Sequence, residues 1–154
     1  MLLSLLLTAC SSDMTMGADA LARLDDMRSA VSAHKDTVDK AASMDEVTTE
    51  ESDHATAMAA MMDDMDTMMG SMMGCAMDDM MSGSMSDADG HMADMMDAVS
   101  GHEAAHADHV DMQGCMDEEA TYSTAMADHL DAMATDMDGF DETAECSSGG
   151  GMTM

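Results

Sequence analysis

The chain has no proline and no isoleucine, and it carries only five valines, one tyrosine and one phenylalanine among 154 residues. With so few β-branched and aromatic side chains there is little from which to build a sheet, and without proline no ring breaks a helix. Alanine is abundant and there are 27 methionines, both good helix formers. These features predict an all-α protein, and the length allows one domain of modest size.

Positive charge is also scarce. Four basic residues stand against 33 acidic ones, a formal net charge of −29. Such a chain repels nucleic acid and anionic membrane surfaces and concentrates cations around itself, so metal cations are expected partners and nucleic acid is not. Aspartate far outnumbers glutamate, a surface similar to that of salt-adapted proteins, where screening relieves self-repulsion. All four bases, Arg23, Arg28, Lys35 and Lys40, fall in the first predicted helix. That helix is expected to act as the cationic partner of three acidic neighbours.

Leucine is concentrated before Cys10, where residues 1–9 form an apolar run too short to span a bilayer. The run ends in small residues, and Leu7-Thr8-Ala9-Cys10 resembles the lipobox of bacterial lipoproteins. That resemblance implies cleavage before Cys10, acylation of its thiol and attachment to a membrane through the lipid. No Lys or Arg precedes the run, which leaves room for a start further upstream. Ser11 and Ser12 follow the cysteine, and by the same resemblance the absence of Asp there implies the outer membrane of a Gram-negative cell envelope. Export places Cys75, Cys115 and Cys146 where disulfides persist, and three thiols allow one bridge. A Cys75–Cys146 pair with Cys115 free is expected, and the opposite assignment stays open.

Shifting the chain by 68 residues aligns 23–71 with 91–139 without a gap, with 17 of 49 positions identical. The matches include Val31 with Val99, Ser32 with Ser100, His34 with His102, Glu50-Glu51 with Glu118-Glu119, and Thr56-Ala57-Met58-Ala59 with Thr124-Ala125-Met126-Ala127. This is an internal duplication of one helical hairpin. Two hairpins that each bury one face pack best as an antiparallel four-helix bundle. The expected layout is a lipidated tether over 10–17, a bundle over 18–142 and a disordered tail over 143–154. Within the bundle, repeats at about 18–73 and 87–142 flank a linker at 74–86, where glycine and serine interrupt the pattern.

Apolar spacings of three and four define four inward stripes. The first runs through Leu24, Met27, Val31, His34, Val38 and Ala41. Ser43 and Glu46 read as a capping box opening the second, which carries Val47, Glu51, His54, Met58, Met61, Met62, Met65, Met68, Met69 and Met72. The third carries Met92, Met95, Met96, Val99, His102, His106, His109 and Val110, with Gly114 as a stop. The fourth carries Cys115, Glu119, Tyr122, Met126, His129, Leu130, Met133, Met137 and Phe140. Folding each hairpin at its loop, near 43–46 or 112–115, sets His34 opposite His54, His102 opposite Tyr122 and His106 opposite Glu119.

With only three leucines after Cys10, methionine has to supply much of the core. Its use nearly to the exclusion of Leu is more than packing requires, because Met specifies packing poorly. Thioethers are soft ligands suited to copper(I), and the composition resembles that of Met-rich exported copper-handling proteins. Met77, Met80, Met81 and Met85, in or beside the linker, are the candidate copper ligands together with the Met58–Met73 stripe. At the opposite end, His34, Glu51, His54, His102, His106, His109 and Glu119 form a candidate metal set of imidazoles and carboxylates. Glu51-Ser-Asp-His54 resembles the Glu-x-x-His step of ferritin-like di-iron bundles. The second copy departs from it with Tyr122, and His34 and His102 stand where that family's other helices donate glutamate, which implies at most an incomplete di-metal site. No nucleophile-base arrangement or phosphate loop stands out, so a binding protein is expected rather than an enzyme. The alternative is a salt-adapted structural lipoprotein whose methionines are only core.

Overall fold

The computed structural model describes residues 16–73, 79–109 and 111–138, and among these it is helical with no strand. Four helices follow one another: α1 (Met16–Val38), α2 (Met44–Met73), α3 (Asp79–Asp108) and α4 (Met112–Asp138). They pack as α1 on α2, α2 on α3, α3 on α4 and α4 back on α1, which closes a four-helix bundle. Cys10, Cys75, Cys146, Met77, Val110 and Phe140 lie outside the described residues, as do the tether up to residue 15 and the tail.

Local chemistry sets the helix starts. The Glu46 amide donates to Ser43 Oγ at 3.3 Å, and the Glu46 carboxylate accepts from the Ala42 amide at 2.7 Å. The cap satisfies one amide that the first turn of α2 leaves free, and the Glu46 carboxylate reaches past Ser43 to hold the Ala42 amide just before the helix. Before α4, Asp111 Oδ1 accepts from the Gly114 amide at 2.9 Å. Gly114 therefore lies in the first turn of α4 and is no helix stop; the break comes earlier, between Asp108 and Met112.

The cationic role expected of α1 falls to two arginines. Arg23 reaches Asp64 on α2 at 2.9 Å, and Arg28 reaches Asp131 at 2.8 Å and the Leu130 carbonyl at 3.0 Å on α4. Lys35 and Lys40 instead pair with Asp39 and Asp36, four residues away. Exposed pairs of this kind are worth about 0.2–1 kcal/mol each, so they orient α1 more than they hold it.

The core is mostly thioether. One large cluster joins Leu24, Met27 and Val31 of α1 to Met58, Met62, Met65, Met69 and Met72 of α2, Met85, Met92 and Met95 of α3, and Met126, Leu130, Met133 and Met137 of α4. A small second cluster, Val38, Val47 and Cys115, sits at the end where the α1–α2 and α3–α4 turns lie. Two expectations from the stripes fail. Met96 is 54% exposed, because α3 turns Met92, Met95 and Val99 inward and that register leaves Met96 on the flank. Met85 is buried rather than part of an open linker. Helix α3 begins at Asp79 and runs on through Ser82, Gly83 and Ser84, so the 85, 88, 92, 95, 99 spacing carries the buried stripe back to Met85. A Cβ at Gly83 would meet nothing within 4 Å, and a glycine inside a helix costs only about 1 kcal/mol against alanine, which packing of Met85 offsets.

If these thioethers act as bulk, Met95→Ala and Met126→Ala should each lower the unfolding free energy by about 2–5 kcal/mol. Met95→Leu should change it by less than about 1.5 kcal/mol in urea titrations.

Candidate metal centre

Between the two apolar clusters the bundle buries a layer of charge. His34 on α1, Glu51 on α2, His102 on α3 and Glu119 on α4 are each no more than 5% exposed. One ligand atom from each lies within 4.8 Å of the other three. The 68-residue repeat relates His34 to His102 and Glu51 to Glu119, so the cluster is two copies of one His/Glu pair facing each other.

The contacts run across the hairpins as well as within them. His34 Nε2 lies 3.2 Å from Glu51 Oε1 and 3.0 Å from Glu119 Oε2. His102 Nε2 lies 3.3 Å from Glu51 Oε2 and 3.1 Å from Glu119 Oε2. The two Nε2 atoms are 3.4 Å apart. A tetrahedral ion with bonds of about 2.0–2.1 Å sets its ligand atoms about 3.3 Å from one another. The four side chains are thus spaced as the corners of a metal site, and they could hold such an ion. Among the described residues, Glu51 Oε1 and both Glu119 oxygens are buried without a hydrogen bond of good geometry, so the imidazoles balance their charge at close range but leave their lone pairs open to an ion.

A surrounding shell orients the imidazoles. His34 Nδ1 meets Glu50 Oε1 at 3.3 Å, whereas Glu118 Oε1, the repeat equivalent, stands 3.8 Å from His102 Nδ1, which has no hydrogen-bond partner among the described residues. Carboxylates behind ligating histidines fix the ring and turn its other nitrogen inward. His54 stacks on His34 with ring centres 3.9 Å apart, and Tyr122 stacks on His102 at the same distance. His54 and Tyr122 then hydrogen-bond to each other at 2.8 Å. The stacked pairs are those that folding each hairpin on its loop predicts. His54 itself faces Tyr122 rather than the carboxylates, so the Glu-x-x-His step delivers one member to the cluster and the other to its backing.

His106 does not meet Glu119 as the hairpin fold suggests; its Nδ1 lies 3.1 Å from Glu51 Oε1 on α2. His109 stands next to His106, ring centres 6.0 Å apart, and packs over Gly114, where a Cβ would come within 2.7 Å of its Nδ1. Cys115 is buried in the small cluster with its thiol 3.8 Å from Met44 Sδ. Met85 lies in the large cluster, and for Met80 and Met81 only the α3 backbone is described. A cavity of about 180 Å³ runs from exposed Thr48 and Glu103 to Glu51 and His106, a path of entry for an ion.

Burial alone would push the histidines down and the carboxylates up, but their mutual contacts prevail. Glu119 and Glu51 hold His34 up at about 10 and His102 at about 9. The same imidazoles pull Glu51 down to about 2 and Glu119 below the ordinary carboxylate value. His54, buried and beside the His34 charge, falls to about 4, and burial also lowers His106. Without a metal the cluster is therefore a neutral quartet of two imidazoliums and two carboxylates. One divalent ion replacing two protons leaves that charge unchanged.

Compared with known proteins, the chain matches no family model, and neither a curated protein nor a solved structure is significantly similar to it.

The titrations fix a sign for the metal-free protein. Glu51 and Glu119, lowered from 4.5, stabilise above that value and lose the contribution as pH falls below it, Glu51 as pH nears about 2. His54 and His106, lowered from 6.5, disfavour the fold as pH falls below that value. His34 and His102, raised from 6.5, stabilise below it and lose the contribution as pH rises toward 9 and 10. We expect the melting temperature of metal-free protein, measured at high ionic strength to screen the surface aspartates, to peak near pH 6.5 and fall on both sides. A steady rise from acid to alkali would contradict the quartet.

Proposed function

We propose that this protein is a metal-ion binder that holds one divalent transition ion of borderline hardness, such as Zn²⁺, between His34, Glu51, His102 and Glu119. The observation that carries this reading is the convergence of two imidazole nitrogens and two carboxylates at 3.0–3.4 Å in a buried layer, with carboxylate oxygens that lack a well-formed hydrogen bond. A purely structural role would be better served by apolar residues of similar volume, since buried ion pairs seldom stabilise more than packing does. The leader-like run before Cys10 supports an exported, lipid-anchored form in the cell envelope, buffering or storing the ion rather than catalysing a reaction.

The donor set bears on which metal. Imidazole with carboxylate suits Zn²⁺, Cu²⁺, Ni²⁺ or Fe²⁺, whereas copper(I) prefers sulfur. Copper(I) held by sulfur is the second reading, favoured by the Cys115 thiol against Met44 Sδ with Met112 packed on the same cluster. Titration with copper(I) under reducing conditions against a competing chelator tests it: loss of affinity in Cys115→Ser supports the sulfur reading, and unchanged affinity refutes it.

For the principal reading, calorimetric titration near neutral pH should give tight Zn²⁺ binding with release of about two protons per ion. His34→Ala or Glu119→Gln should abolish this binding, and Glu50→Gln should weaken it by about 10–100-fold through the ring it orients. Saturation at about 1,000 times the Kd should stabilise the fold by about 4 kcal/mol. Unchanged affinity in Glu119→Gln would refute the site.

A further inference from the structure

A second group of side chains lies further along the bundle. His91 on α3 is eleven residues before His102, about 16 Å along the helix at 1.5 Å per residue. Its Nδ1 is 3.4 Å from His129 Nδ1 on α4. Asp94, one turn on from His91, completes a trio whose ligand atoms all lie within 4.8 Å of one another. On the other side of the ring, His91 Nε2 lies 3.8 Å from Asp136 Oδ2, an atom buried without a hydrogen-bond partner among the described residues.

We propose that His91, Asp94 and His129 form a second metal site, with Asp136 behind His91 as the carboxylate that orients its ring. The 3.4 Å between the two Nδ1 atoms is again the separation of two ligands on one ion, at about 3.3 Å for a tetrahedral centre. A carboxylate on the far nitrogen of a ligating histidine is the usual partner of such a ring. Three protein donors with a His91 side chain 32% exposed leave open positions for water, so the site exchanges its ion more readily than the buried four-donor centre. Two imidazoles and one carboxylate select borderline divalent ions, with Cu²⁺ bound more tightly than Zn²⁺, Ni²⁺ or Co²⁺.

The repeat supplies an independent argument. The positions equivalent to His91, Asp94 and His129 in the first copy are Arg23, Asp26 and Met61. There the guanidinium of Arg23 meets Asp26 at 3.5 Å and Asp64 at 2.9 Å, so the chain supplies its own cation. In the second copy the guanidinium is replaced by an imidazole and a further imidazole is added from α4, so a permanent cation gives way to two nitrogen donors that a metal ion can use.

The same comparison gives a variant built from residues the fold already carries at the equivalent positions. Full-length protein dialysed against Co²⁺ near neutral pH, with bound metal counted by elemental analysis, should hold two ions per chain. His91→Arg with His129→Met should hold one, and His34→Ala with His102→Ala should hold the other, each at unchanged helical circular dichroism. Asp136→Asn should weaken the second ion by about 10–100-fold while sparing the first. In nitrogen-edited spectra, Co²⁺ added to the His34→Ala, His102→Ala protein should shift or broaden the His91 and His129 ring signals. The proposal is overturned if the His91→Arg, His129→Met protein keeps the full complement, or if the His34→Ala, His102→Ala protein holds none. If that last protein still holds two ions, the buried four-donor centre is refuted instead, and the grafted variant alone decides the second site.

Discussion

Two carboxylates buried on the axis of an apolar bundle impose a condition on everything around them. Each would cost several kcal/mol to bury alone, and only matching positive charge at close range lets them stay ionised. Glu51 and Glu119 meet that condition through His34 and His102, whose side chains arrive from the two other helices. The register of all four helices follows, since sliding any one of them by a turn would strand a charge. The apolar clusters above and below lower the local dielectric and so keep the electrostatic coupling strong.

The duplication explains how so short a chain builds such a layer. One hairpin supplies one imidazole, one carboxylate and one stacking partner, and only the approach of a second copy brings the charges to balance. Where the copies have diverged, they have done so around the shared centre. His54 and Tyr122 occupy equivalent positions, and they hydrogen-bond to each other across the pseudo-symmetry axis. Arg23 against His91 and Met61 against His129 are divergences of another kind, at the periphery, where one copy holds a permanent cation and the other two nitrogen donors.

Much of this architecture is legible in the order of residues. The 3.6-residue period marks each buried face, and the turn between paired helices sets which residues stack, so that His34 on His54 and His102 on Tyr122 follow from counting back from a loop. Contacts between hairpins are not legible in that way. Glu51 touching His102 and His106 depends on how two faces settle against each other, which periodicity leaves undetermined. Glu50 and Glu118 are visible as repeated residues, yet their place behind the rings needs side-chain geometry. His91 escapes notice because it sits just off the buried stripe; the signal was available in its i, i+3 aspartate and in the substitution of arginine at the equivalent position. The serines and Gly83 before Met85 suggest a linker because turn chemistry and a tolerated helical glycine look alike until packing decides between them.

Filling a bundle with methionine has a chemical consequence of its own. Met58, Met65, Met95 and Met126 have no exposed surface, and oxidation would turn any of them into a sulfoxide, a polar and chiral group in space that holds no partner for it. Peroxide entering during a transient opening of the helices would therefore leave a scar that prevents them from closing. The side chains that let a leucine-poor chain fold also tie its lifetime to the oxidants around it and to the reductases that restore thioethers.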